Sequence, residues 1–222
     1  MNTHSINEFK QSQAHGLFWD NEIRVGFGLP ACINDTIKYD IPCEQNKFNC
    51  IENISIKTSG NNNIDCGDIL RFYDLDTTKK LTIILIRYKQ TGNVKTINEI
   101  IEIDYNEKLK NILFGSIPKQ VIEGYVKYVK SIEPGTVSEQ IKKKYKDCKI
   151  KMQNEFNMLI NISPKVDSHN QRRVQCSIPK INELLDKYPE FIISRTKEPI
   201  IRNFTITSSI ESGPRVRSKT NN

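Results

Sequence analysis

Between residues 40 and 57 the chain carries an acid, Asp40, followed after a polar connection by Ser55, Ile56 and Lys57. Residues 54–58 alternate in polarity, so as a strand they turn Ile54 and Ile56 into a core and leave Ser55 and Lys57 on the opposite face. The connection suits a turn, which would lay the Asp40 segment beside this strand. An aspartate and a lysine meeting on adjacent strands can cleave a phosphodiester. The carboxylate holds a hard divalent cation, while the ammonium places positive charge beside the phosphate and helps to position an attacking water. The plain alternative is a surface lysine that ends an edge strand.

At these residues the chain resembles the PD-(D/E)XK nuclease superfamily, and specifically its type II restriction endonucleases. Asp40 matches the first acid, Ser55 the second-acid position and Lys57 the lysine. The superfamily pattern has Asp or Glu where this chain has Ser55, and a hydroxyl brings no formal charge to a metal. The resemblance implies an α/β fold, a central mixed β-sheet flanked by helices, restriction-endonuclease-like. It also implies Mg2+ as cofactor, double-stranded DNA as substrate, 5′-phosphate ends and a companion DNA methyltransferase. A palindromic site would require a homodimer, since equivalent surfaces must meet equivalent half-sites.

The charge missing at Ser55 must then come from another element. Residues 17–25 read as a helix with Asp20, Asn21 and Arg24 on one face and Phe18, Trp19, Ile23 and Val25 on the other, which puts Glu22 within the apolar stripe. A carboxylate there needs a partner. It is either a member of a buried ion pair or, as the resemblance implies, an accessory acid facing the catalytic strands. The expected catalytic set is therefore Asp40, Ser55, Lys57 and Glu22, with the cation held by Asp40, Glu22 and the main chain of Ile56. Asp65 and Asp68 form a second acidic pair ahead of a short helix over residues 69–73, where Asp68 is placed to cap and either could instead hold metal.

Residues 35–41 read as a strand leading to Asp40, residues 81–90 and 94–104 as a hairpin, and residues 107–130 as two helices separated by Pro118. A third helix over 137–152 carries Lys142, Lys143, Lys144, Lys146, Lys149 and Lys151 with Asp147 as its one acid in that run; it is a solvated face or a phosphate contact, with Lys144 as its representative. A strand over 156–162 precedes the polar run 168–178. There, strand alternation puts Gln171, Arg173, Gln175 and Ser177 outward, beside Arg172, and turns Val174, Cys176 and Ile178 inward. Arg and Gln suit guanine and adenine edges, so this face reads bases, unless it is an ordinary exposed strand. A helix over 181–188 and a strand over 200–207 complete the pattern.

With 222 residues the chain has the material for one sizeable domain, expected over 15–210, with an arm at 1–14 and a basic tail at 211–222. The formal charge of +7 favours a polyanionic partner. The six cysteines form no CxxC pair, the three histidines sit at no zinc spacing, and no apolar run matches a signal peptide or a membrane span. A cytoplasmic protein with reduced thiols is expected. Besides the endonuclease, two other readings fit the sequence: a non-catalytic DNA-binding module and a structural or interaction domain.

Overall fold

The apolar run after Lys80 builds the centre of the molecule. In the computed structural model, which describes residues 14–31, 38–133, 135–166 and 171–211, this run is β3 (Lys80–Thr91). It buries Leu81, Ile83, Ile84, Leu85 and Ile86, so both faces of the strand are covered. At Gly92 the chain takes a φ of 58°, favourable where there is no Cβ, and returns as β4 (Val94–Asp104) to form the expected hairpin. β1 (Glu52–Ser59) lies parallel to β3, with Ser55 beside Ile83 and Lys57 beside Leu85. β7 (Ile192–Thr196) and β10 (Ser209–Glu211) pair antiparallel with β4. The fold is α/β, with this mixed five-stranded sheet at its centre and β1 at one edge.

Helices cover both faces. On one, α1 (Ala14–Gly26) supplies Trp19 and Ile23, which together with the following Phe27 join Ile54, Ile56, Ile84, Ile86 and Ile100 in one core. On the other, α3 (Glu107–Phe114) and α4 (Lys119–Lys130) pack with a second, antiparallel sheet. Its strands are β2 (Ile64–Asp68), β5 (Asn161–Val166) and β6 (Arg172–Ile178), with β6 central. Ile64, Ile162, Val174, Cys176 and Ile178 share this second core with Leu81, Ile83 and Leu85. Each such aliphatic side chain contributes roughly 1.5–3 kcal/mol by leaving water.

Several boundaries differ from expectation for local reasons. The expected strand over 35–41 lies partly outside the described residues, and its described end is a bend with a single bridge between Ile41 and Ile54. The strand expected over 156–162 starts later, because α5 (Glu139–Glu155) runs on and Asn157 turns the chain at a φ of 52°. The strand expected over 200–207 splits into β8 (Ile200–Ile201) and β9 (Phe204–Thr205) around Arg202 and Asn203, whose φ values of 44° and 76° reverse the chain. α2 (Ile69–Tyr73) is capped by Asp68, which accepts the N–H groups of Leu70 and Arg71, each at 3.0 Å. α6 (Ile181–Lys187) follows β6. Among the described residues no helix is long and apolar enough to cross a membrane.

Candidate active site

The open edge of β1 is where the predicted residues meet. Ile41 and Ile54 exchange two backbone hydrogen bonds, at 3.1 and 2.8 Å, and one step along the strand the Asp40 side chain replaces the main chain as partner. Its Oδ2 accepts the Ile56 N–H at 2.6 Å and the Ser55 hydroxyl at 3.1 Å. Lys57 Nζ stands 3.7 Å from the same oxygen and donates to the Ile56 carbonyl at 3.0 Å. Asp40, Ser55, Ile56 and Lys57 thus converge, and the Lys57 and Asp40 side chains remain 24% and 25% exposed, open to a ligand.

The helix over this edge is rotated from the phase the sequence suggested. Val25, expected inward, is 60% exposed, and Arg24, expected outward, is 7% exposed. Trp19, Ile23 and Phe27, spaced four residues apart, form the buried stripe, which brings Asp20 and Arg24 to its flank. Arg24 donates through Nη1 to the Asp40 carbonyl and through Nε to the Pro30 carbonyl at 3.2 Å, fixing the loop that presents Asp40. Burial first, and then the charge of Asp40, push the Asp20 carboxyl up to about 7, against the opposing pull of Lys57 and Arg24. Its Oδ1 is buried and accepts no hydrogen bond from any described residue.

Glu22, the acid expected here, is committed elsewhere. Its Oε2 accepts the Thr207 N–H at 2.8 Å and its Oε1 the Thr207 hydroxyl at 2.6 Å. The acid that joins Asp40 from α1 is Asp20. The signal was present in the sequence: extending the stripe one turn to Phe27 instead of stopping at Val25 selects the phase that turns Asp20 toward the sheet edge.

Asp20, Asp40 and the Ser55 hydroxyl suit a hard cation such as Mg2+, which takes one or two carboxylates and keeps several waters. Such an ion would relieve both the unpartnered Asp20 oxygen and the repulsion between the two acids. Among the described residues no group of three or more His, Cys, Asp or Glu gathers as a metal cluster, so a cation here would rest on two acids and water. The main chain of Ile56, expected as a ligand, already has its carbonyl engaged by Lys57. Asp65 accepts the Gly67 N–H at 3.0 Å at the bulge within β2, and Asp68 caps α2, so each acid has a local structural partner.

The first residue of β1, Glu52, anchors a charge network that sequence reading missed. Glu52 is fully buried and receives Arg202 Nη1 and Nη2 at 2.6 and 2.7 Å, the Thr82 hydroxyl, and Lys80 at 3.6 Å. Arg202 also donates to Glu102 at 2.9 and 2.8 Å. Burial alone would raise the Glu52 carboxyl, but the bonds from Arg202 and Thr82 and the charges of Arg202 and Lys80 outweigh it and hold it near about 2. No local pattern ties Glu52 to an arginine 150 positions away.

The expected nucleic-acid face is divided. On β6, Val174, Cys176 and Ile178 are buried, while Arg173 is exposed and Gln175 and Ser177 are half-buried on the outer side. Arg172, counted with them, donates instead to the carbonyls of Ile132, Gln171 and Glu133 at 2.7, 2.8 and 3.1 Å, pinning the segment after α4 to β6. Gln171, the residue before this strand, is half-buried. Lys144 is exposed on α5, with its ammonium 5.6 Å from the Tyr128 ring centre.

No protein-family model, curated protein sequence or solved structure matches this chain.

Proposed function

We propose that this protein is a Mg2+-dependent endonuclease of double-stranded DNA, with a restriction-endonuclease-like core and type II site-specific action. The observation that carries the reading is the meeting of Lys57 with Asp40 at 3.7 Å, beside an Asp20 carboxyl that feels both charges. Asp20 and Asp40, with the Ser55 hydroxyl or a water on it, are the residues that would hold Mg2+. When bound, the ion neutralises charge on the scissile phosphate and acidifies a water.

The chain's own groups divide the remaining work. Lys57 swings from the Ile56 carbonyl to orient the attacking water and to offset phosphate charge. Ser55 and the Ile56 N–H keep the Asp40 carboxylate fixed in one orientation. The water oxygen bonds to phosphorus as the bond to the 3′ oxygen breaks. The water's proton passes to solvent and the departing oxygen is protonated from solvent, giving a 3′-hydroxyl and a 5′-phosphate. A homodimer and a companion methyltransferase belong to this reading.

A second reading, a DNA-binding module without catalysis, is favoured by one observation. Asp40 Oδ2 already faces three donors and can serve merely as the strand-edge partner of Ile56. Incubating the protein with a long unmethylated duplex, with Mg2+ and with chelator, separates the two. Discrete, 5′-phosphorylated fragments that need Mg2+ and vanish in Lys57→Ala are expected. Fragments produced at the wild-type rate by Lys57→Ala would end the assignment.

A further inference from the structure

Two cysteines far apart in the chain meet where β2 pairs with β6. The register sets Asp65 opposite Ser177 and Gly67 opposite Cys176, and the shift between those pairs leaves Cys66 as an extra residue, so Cys66 and Gly67 together oppose Cys176. Gly67 takes a φ of 74° and has no side chain, which leaves Cys66 to supply the side chain of the bulge. Both thiols turn to the same core. Cys176 is 1% exposed within it, with Ile64 and Ile178, and Cys66 packs against it half-buried. The Cys176 thiol shares a side-chain hydrogen bond with Cys66, and this bond together with burial pushes its ionisation well above the usual thiol range. Tyr105 marks the same spot. Its hydroxyl is buried and has no hydrogen-bond partner among the described residues, and burial, followed by the charges of Cys66, Cys176 and Glu107, holds it well above the usual phenol range.

Positions opposed across antiparallel strands have Cα atoms about 4.5–5.5 Å apart, within the roughly 4.4–6.8 Å that a disulfide spans. We infer that Cys66 and Cys176 are a redox pair, which takes up a small disulfide at Cys66 and closes to an intramolecular disulfide that staples β2 to β6. The other described thiols are placed differently: Cys43 is buried with its Sγ 3.0 Å from Glu44 and 3.5 Å from Lys79, and Cys50 and Cys148 are exposed. Exposure sets the order of events. Cys66, the half-buried member, attacks the incoming disulfide as its thiolate; the small S–S bond breaks, a mixed disulfide forms on Cys66 and one small thiolate leaves. Capping Cys66 ends the hydrogen bond that is the first cause of the resistance of Cys176 to ionisation. Cys176 then attacks the Cys66 sulfur, which breaks the mixed disulfide and expels the second small thiolate. The protons of the two cysteines end on the two released thiols, and the pair gives two electrons to the small disulfide. The new bond stabilises mainly by restricting the unfolded chain between β2 and β6.

The test incubates the folded full chain in buffers of reduced and oxidised glutathione, traps free thiols by alkylation and maps the peptides without reduction. Wild type should yield one cross-linked peptide pair, Cys66 with Cys176, and the oxidised protein should melt roughly 5–15 °C above the reduced one. Cys66→Ser should lose both the cross-link and the shift. Cys176→Ala should stop at a glutathione adduct on Cys66, which identifies the entry thiol; Cys66→Ser, altered at the half-buried position, keeps the test decisive even where the core variant folds poorly. A protein whose Cys176 is still a free thiol at saturating oxidised glutathione, or whose Cys66 pairs with a different cysteine, overturns the inference. So does a melting temperature that rises equally in Cys66→Ser.

Discussion

Glu22 holds Thr207, accepting its N–H at 2.8 Å and its hydroxyl at 2.6 Å, and the Thr207 carbonyl in turn accepts the Trp19 indole N–H at 2.9 Å. Asp20 sits between these two anchored residues, so the C-terminal segment sets where the α1 acid points. Glu22→Ala should cost about 2 kcal/mol, because two bonds to a charged acceptor are lost at a partly exposed site. It should also weaken the response to Mg2+ by letting α1 shift. Melting temperature and Mg2+ titration check this together: lost activity at an unchanged melting temperature would make Glu22 a ligand rather than a brace.

Asp20 carries the clearest pH signature. Its folded carboxyl lies near about 7 against an ordinary 3.8, so the group costs nothing below about 3.8 and is increasingly unfavourable as pH rises through that window. Above 7 the penalty is complete, at most about 4 kcal/mol. Asp20→Asn should therefore match wild type at pH 4 and be the more stable protein at pH 8 in chelator. Added Mg2+ should close that gap for wild type alone, while the variant should be inactive in cleavage. Denaturant melts at both pH values provide the measurement, and a gap of the same size at both would mean that Asp20 is ionised throughout.

The central hairpin was legible because residues 81–90 and 94–104 are long, β-branched and separated by turn chemistry, all local properties. The alternation at Ile54, Ser55, Ile56 and Lys57 gave their faces for the same reason. A nine-residue window ending at Val25 fits two rotations of α1, and extension by one turn to Phe27, which packs against Phe204, selects the one that buries Trp19 and Ile23. The Glu52–Arg202 pair and the Glu22–Thr207 bonds span 150 and 185 positions, beyond any spacing rule. Strand β2 was hidden because its Ile64-Asp65-Cys66-Gly67-Asp68 sequence has turn composition and is held by pairing with β6.

Acid should unlock the sheet at Glu52. Its folded carboxyl near about 2 against an ordinary 4.5 gives stability that is present above 4.5 and is lost as pH falls toward 2, on the order of 3 kcal/mol in total. Arg202→Met removes one partner and leaves Glu52 buried without its main counter-charge, so it should be destabilised by about 3–5 kcal/mol near neutral pH. Its stability should also fall far less between pH 4.5 and 2. Comparing the two proteins by urea melts across that range isolates the pair, and parallel curves would assign the acid sensitivity to other carboxylates.

Ser55→Asp introduces the acid that the proposed nuclease reading would have at this position. Ser55 is buried and donates to Asp40 at 3.1 Å, so the substitution removes a donor and sets a second carboxylate against the first. In chelator, the lost bond and the like-charge contact should destabilise the fold by roughly 2–4 kcal/mol. A cation between Asp20, Asp40 and the new carboxylate would reverse this, because added negative ligands tighten a hard-ion site. The Mg2+ midpoint for thermal stabilisation should therefore fall below that of wild type, and most of the lost stability should return at saturating ion. If the variant stays as unstable in Mg2+ as in chelator, no ion binds among these acids. Asp40 is then only the edge partner of Ile56, and the non-catalytic reading replaces the enzyme.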